Sequence, residues 1–222
     1  MRTVFLLLAA LAVPGVQTEG TASSEEWFPM TFEESLEGVS EDCPGWITDN
    51  QVLMDVAFVG FDGEVHFGQL VVDARVVVDL QLVFTQMLLT GFPLESVVPI
   101  CEYGWDDGLS MADNNTSGFN YRTVAGTDRL SRHAYGLAID INPVQNPYCT
   151  GDRISPAGAV HDPSVSGTLY AGHPVVLLFK ELGWRWGGDW TEKDYQHFDL
   201  QIKPMALEGV EHRRCWPPWR VL

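Results

Sequence analysis

The stretch Ser131-Arg-His-Ala-Tyr-Gly-Leu-Ala-Ile-Asp-Ile-Asn142 organises the chain around it. It sets a histidine, His133, in a loop and an aspartate, Asp140, near the end of an apolar run. Leu137, Ala138, Ile139 and Ile141 are small or branched and read as a short buried strand. An acid within such a run is costly unless it is paired or holds a cation. A complementary segment follows at Asp194-Tyr-Gln-His197. Two histidines and one carboxylate are a frequent ligand set for a zinc ion that keeps one position open. Asp194 stands three residues before His197, where it can lean over the same ion and accept a proton from water. Arg122 can stabilise the negative charge that develops on a carbonyl oxygen. Asp199 competes for the acid roles, because the two-residue period of a strand puts it on the same face as His197. It would otherwise orient a ligand histidine.

Outward from this centre, the chain reads as one domain of mixed elements. Val52–Val59 and Glu64–Val72 are strands around a Phe61-Asp-Gly63 turn. From Asp73 to Thr90 apolar residues recur at helical spacing, with Asp73 as N-cap and Gly91 just past the end. Phe92–Ile100 and Phe119–Val124 read as strands, and Glu102–Asn120 as a polar loop long enough to be functional. Asn114 and Asn115 each open an N-x-S/T acceptor pattern in that loop. Pro143–Val165 reads as a surface loop, Pro174–Leu182 as a short helix and His197–Gln201 as the last strand. His66 is expected to serve packing, and His161, His173 and His212 are expected at the surface.

The ends differ in character. Met1-Arg-Thr3 followed by the apolar Val4–Val13 has the form of a secretory leader, with Gly20 and Ala22 near a cleavage point. The expected organisation is a signal peptide over 1–22, an acidic arm over 23–51, the domain over 52–202 and a Pro/Trp-rich tail over 203–222. The expected location is secreted, periplasmic or cell-wall-associated. Cys43, Cys101, Cys149 and Cys215 lack close spacing, and in an exported chain they suggest two disulfides. A net charge of -17 over 222 residues excludes nucleic acid and anionic membranes as partners. No stable membrane insertion is expected, and a monomer is.

The pattern Ser131-x-His133-x-x-Gly136-x-Ala138-x-Asp140 with Asp194-x-x-His197 closely resembles the D-alanyl-D-alanine carboxypeptidase group of zinc peptidases. That group includes VanY-type and VanX-type enzymes and several phage endolysins. The likeness extends to the Asn114–Arg122 approach, to Ile141–Pro147 and to Gly183–Trp190. It implies an α+β fold of the hedgehog/DD-peptidase kind, mostly an antiparallel sheet with helices packed on one side. It assigns one zinc to His133, Asp140 and His197, the base to Asp194 and the transition-state arginine to Arg122. Many members carry glutamate at the base position, where this chain has aspartate. Ser131, Tyr135, Trp186 and Trp190 would be pocket residues. The implied substrate is a peptidoglycan stem peptide, cut by a carboxypeptidase or by an endolysin-like L,D-endopeptidase. A zinc-containing, non-catalytic module of the hedgehog kind is the alternative outside enzymology.

Overall fold

A computed structural model describes residues 29–208 together with the backbone of Arg214 and Cys215. The leader expected at 1–22, the first residues of the acidic arm, His212 and most of the tail lie outside the described residues. The chain is α+β. Among the described residues the α-helices are α1 (Phe32–Ser35), α2 (Gly45–Asp49), α3 (Val77–Thr90), α4 (Asp107–Ala112) and α5 (Pro174–Glu181). The strands are β1 (Gln51–Val59), β2 (Val65–Asp73), β3 (Ala138–Asp140), β4 (Tyr148–Thr150), β5 (Arg153–Ser155), β6 (Trp184–Trp186), β7 (Lys193–Asp194), β8 (His197–Leu200) and β9 (Arg214–Cys215). They form three small sheets, ordered β2-β1-β9, β3-β8-β6 and β5-β4-β7. Only the β1–β9 pairing is parallel among them.

β1 explains how the layers stack. Val52, Met54, Val56 and Phe58 point to the main core, where they meet Val76, Leu80, Val83, Phe84 and Met87 of the α3 segment. Phe179 of α5 and Trp184, Trp186 and Phe198 from the β6–β8 pair close the same core. The opposite face presents Leu53, which joins Ile47, Val71 and Phe119 in a second cluster. Met30, Phe32, Leu36 and Val39 pack onto that cluster. Residues 30–50, within the acidic arm expected over 23–51, thus fold into two short helices that cover β1. Asp55 faces the same side and is buried, and it accepts from Gln69 Nε2 at 2.8 Å directly across the ladder. Gln69 Oε1 in turn accepts from the Met30 amide.

α3 starts and stops where sequence places it. Asp73 caps the 3₁₀ turn that leads into it, and Gly91 ends it at φ 66°. Phe92–Ile100 is not a strand. Pro93 and Pro99 lack the donor a ladder needs, and the amides of Leu94 and Val98 go to different partners, Val59 O and Asn115 Oδ1. Phe119–Val124 fails for a related reason: Phe119 donates to Val71 O and Asn120 to His133 O, so no single neighbour is followed. Within Glu102–Asn120 lies α4, capped by the Asp106 carboxylate on the Leu109 amide. Within Pro143–Val165 lies the β4–β5 hairpin.

Further expectations are corrected. Cys43, Cys101 and Cys149 are free thiols, so two disulfides do not form. They sit on separate elements: Cys43 against the second cluster, Cys101 beside the Met30 sulfur at 3.9 Å, and Cys149 on β4. Asn114 and Asn115 are buried, and the Asn115 amide spans Ser96, Val98 and Ser110, so neither offers its nitrogen to glycosylation. His161 stacks on Tyr195 at 3.6 Å between ring centroids, and His173 caps α5, so neither is a free surface residue. Among the described residues no helix is long and apolar enough to cross a membrane.

Phe179 is fully buried, with its ring 4.0 Å from that of Phe198. Phe179→Ala is expected to cost about 3–5 kcal/mol, as cavity-forming aromatic truncations do, read as a lower urea midpoint with an unchanged slope.

Candidate metal centre

The register of one short strand pair builds the centre. β3 and β8 run antiparallel with Asp140 directly opposite His197, and opposed residues project to the same face of a pair. Leu137, Ile139 and Ile141 enter the core, which leaves Asp140 on the other face. His133 arrives from the 3₁₀ turn His133–Tyr135, which ends at Gly136 with φ 66°. A side chain at Gly136 would be strained by that angle and would lie 2.5 Å from the Asp73 backbone nitrogen. The turn can therefore press against β2 only because Gly136 has none.

The three side chains are buried and converge. His133 Nε2 lies 3.1 Å from His197 Nδ1 and 3.2 Å from Asp140 Oδ1. His197 Nδ1 lies 2.9 Å from the same carboxylate oxygen. The opposite nitrogens are committed elsewhere. His133 Nδ1 donates to the Gly118 carbonyl at 2.6 Å, which turns the Nε2 lone pair inward. His197 Nε2 faces Asp199 Oδ2 at 3.6 Å. Asp199 itself takes both forks of Arg185, at 2.8 and 2.7 Å, and the Gln201 amide at 3.0 Å. A tetrahedral zinc with bonds of about 2.0–2.2 Å holds its ligand atoms roughly 3.4 Å apart. Two imidazole nitrogens and a carboxylate oxygen set in a triangle of nearly this size fit such an ion.

The electrostatics point the same way. Burial works against charge on His197, yet hydrogen bonds to Asp140 and Asp199 push its pKa up to about 10. Burial also opposes the charge on Asp140, but the imidazoles of His133 and His197 hold it well below the carboxylate range. Asp199 is held low in the same manner, by Arg185 and then His197 against its own burial. This is a buried, anionic pocket that keeps a positive charge at its centre.

Asp194 comes from a different sheet. It lies on β7, paired with Tyr148 of β4. It is half-buried, and its Oδ1 is enclosed without a hydrogen-bond partner. Burial first of all, with the Asp140 charge adding to it, drives its pKa up to about 7 against the pull of His197, His133 and Arg122. Gly187 makes room for it: a Cβ there would meet the Asp194 backbone oxygen and lie 2.8 Å from its Cβ. Arg122 is tied by Nη2 to Asp107 at 2.9 Å, while its Nε is buried without a partner.

The remaining pocket residues of the sequence reading are placed unequally. Ser131 is buried, accepts from the His133 amide at 3.3 Å and donates through its own amide to Arg122 O at 3.0 Å, linking those two segments. Tyr135 stacks on Trp46 on the side of the second cluster. Trp186 is a core residue, its indole nitrogen donating to Tyr195 O at 2.8 Å. Trp190 is the indole beside the centre, 5.3 Å from the His197 ring and covered by Arg185 at 5.7 Å. Asp107, Gly118 and Arg185 were not singled out from sequence. Asp107 lies within the polar loop whose length marks it as functional, and nothing local distinguishes the other two.

Against known families, the profile described as D-alanyl-D-alanine carboxypeptidase matches residues 125–200. Neither the curated proteins nor the solved structures give a significant match to the chain. The matched segment holds His133, Asp140, Asp194 and His197, with Arg122 just before it. This segment, which contains all three converging ligand-type residues and the neighbouring acid, is what the chain shares with the D-alanyl-D-alanine carboxypeptidase family of peptidases.

Proposed function

We propose that the chain is an exported, zinc-dependent peptidase that hydrolyses peptidoglycan stem peptides, removing a terminal D-alanine. The observation that carries this reading is the meeting of His133 Nε2, Asp140 Oδ1 and His197 Nδ1 in one buried triangle within the family-matched segment. Export rests on the leader-like Met1–Val13 and places the enzyme where that substrate lies.

His133, Asp140 and His197 would hold the zinc, two as neutral imidazoles and one as a charge-compensating carboxylate. When bound, the ion supplies a Lewis acid that polarises the scissile carbonyl and makes the attacking water more acidic. Asp194 takes the proton of that water through a carboxylate whose Oδ1 is enclosed and unpartnered. Its raised pKa suits the second half of the task, handing that proton to the departing amine. Arg122 offers a free, buried Nε–H to the carbonyl oxygen as negative charge develops there. Ser131 keeps the His133 and Arg122 segments in mutual register. Trp190 forms an apolar wall beside His197.

The first test is digestion of purified stem peptides, read by mass spectrometry with and without a chelator. Loss of one terminal D-alanine that the chelator abolishes is the expected result. An internal cut would reassign the enzyme as an endopeptidase. Zinc binding with no cleavage would favour a binding module of the hedgehog kind. Asp194→Asn is expected to lower kcat by roughly 10²–10⁴-fold, the range of a lost general base, with zinc content unchanged.

The pH profile carries a sign. Asp194 acts as a carboxylate, so the rate falls as pH drops through its pKa. A bound cation lowers that pKa from about 7, so the acid limb of kcat/KM is expected at or below neutrality. Asp199→Asn is expected to weaken zinc binding about 10–100-fold, because His197 loses the group that fixes its ring. Competition with a chromogenic chelator measures this directly.

A further inference from the structure

The geometry points to Asp107, at the start of α4, as the positioning residue that aims Arg122 into the centre; this rests on the peptidase reading given above. Asp107 Oδ2 receives Arg122 Nη2 at 2.9 Å, and Oδ1 receives Asn120 Nδ2 at 3.3 Å. The carboxylate thereby grips the arginine and the residue two positions before it, fixing both the side chain and the local backbone. Asn120 is itself tied to the centre, since its amide donates to the His133 carbonyl at 3.1 Å. Ser131 N closes the other end on Arg122 O.

The alternative role for an acid in a first helical turn is to cap or to complement the helix dipole. Asp106 already performs the capping, accepting from the Leu109 amide at 3.0 Å. Both oxygens of Asp107 are directed instead to Asn120 and Arg122. The pair is also a weak source of stability, since its side chains are 29% and 28% exposed, and ion pairs in contact with solvent contribute little.

Its effect on direction is larger. An arginine side chain has several rotatable bonds and loses considerable freedom when it is fixed. Anchoring one terminal nitrogen removes most of that freedom before substrate arrives. It leaves Nε buried and without a partner, on an arginine whose charge acts on Asp194. Preorganised donors of this kind act because they need not reorganise as charge develops. α4 also reaches the other side of the centre, where Met111 Sδ receives the Gln196 amide next to His197. The helix thus touches both the arginine and Gln196, the residue before His197.

The test compares wild type, Asp107→Asn, Asp107→Glu, Arg122→Ala and the Asp107→Asn/Arg122→Ala double variant, all loaded with zinc. Asp107→Asn is expected to lower kcat about 10–100-fold while leaving zinc content and thermal midpoint near those of wild type. Asp107→Glu is expected to recover part of the loss. In the Arg122→Ala background the second change is expected to add nothing, because the two act as one unit. Full activity in Asp107→Asn, or an additive double variant, overturns the assignment. A readout independent of turnover accompanies these: ¹⁵N relaxation of the Arg122 Nε–Hε group, ordered in wild type and averaged in Asp107→Asn. An unchanged Nε–Hε signal overturns the clamp even if the protein cleaves no peptide, whereas an inactive wild type with the expected signals overturns the peptidase reading alone.

Discussion

A single buried carboxylate constrains this molecule. Asp140 lies inside an apolar strand, where an unpaired charge would be expensive, and the two imidazoles that reach it stabilise it. That requirement fixes the β3–β8 register, because a slip by one residue would turn His197 away from Asp140 and expose Phe198. It fixes the 3₁₀ turn, because His133 must arrive from outside the strand. It also fixes Gly136, whose bare backbone lets the turn lie against β2.

The centre is supported from both sides of that pair. On one side the Gly118 carbonyl sets the tautomer of His133. On the other, Arg185 holds Asp199 against His197. These outer contacts orient donors rather than add ligands, and they come from segments far apart in sequence. The large apolar core is a platform beneath them: Phe198, between the two polar residues His197 and Asp199, drives its ring into Phe179 and Trp186. Alternation along a single strand thus serves packing on one face and chemistry on the other.

How much of this was legible in sequence follows from how local each signal is. α3 carries its period, the Asp73 cap of the 3₁₀ turn that leads into it and its stop at Gly91 within one segment, and it forms within the bounds those residues set. His133, Asp140 and His197 could be singled out because an acid in an apolar run and an acid-x-x-His segment are unusual on their own. The strands inferred for Phe92–Ile100 and Phe119–Val124 failed because β-like composition does not supply a continuous partner. Asp107 was hidden for a related reason: its importance depends on Arg122, and only the fold brings α4 to that arginine. Trp186 and Trp190 are alike in sequence context, and which of them enters the core is decided by strand direction in β6. The short helices over residues 30–50 lack a periodic pattern, since one turn is too brief to display one.

Asp140 and His197 stand on one sheet and Asp194 on another. His197 belongs to β8, while Asp194 belongs to β7 and is paired to the β4–β5 hairpin, with only Tyr195 and Gln196 between them. On the proposed reading, affinity for the ion and reactivity toward substrate would therefore come from different pieces of scaffold. Lengthening or reshaping the hairpin would move Asp194 while the triangle of His133, Asp140 and His197 stayed intact. A fold partitioned in this way can diversify its chemistry, or shed it and keep the ion, through changes confined to one small surface element.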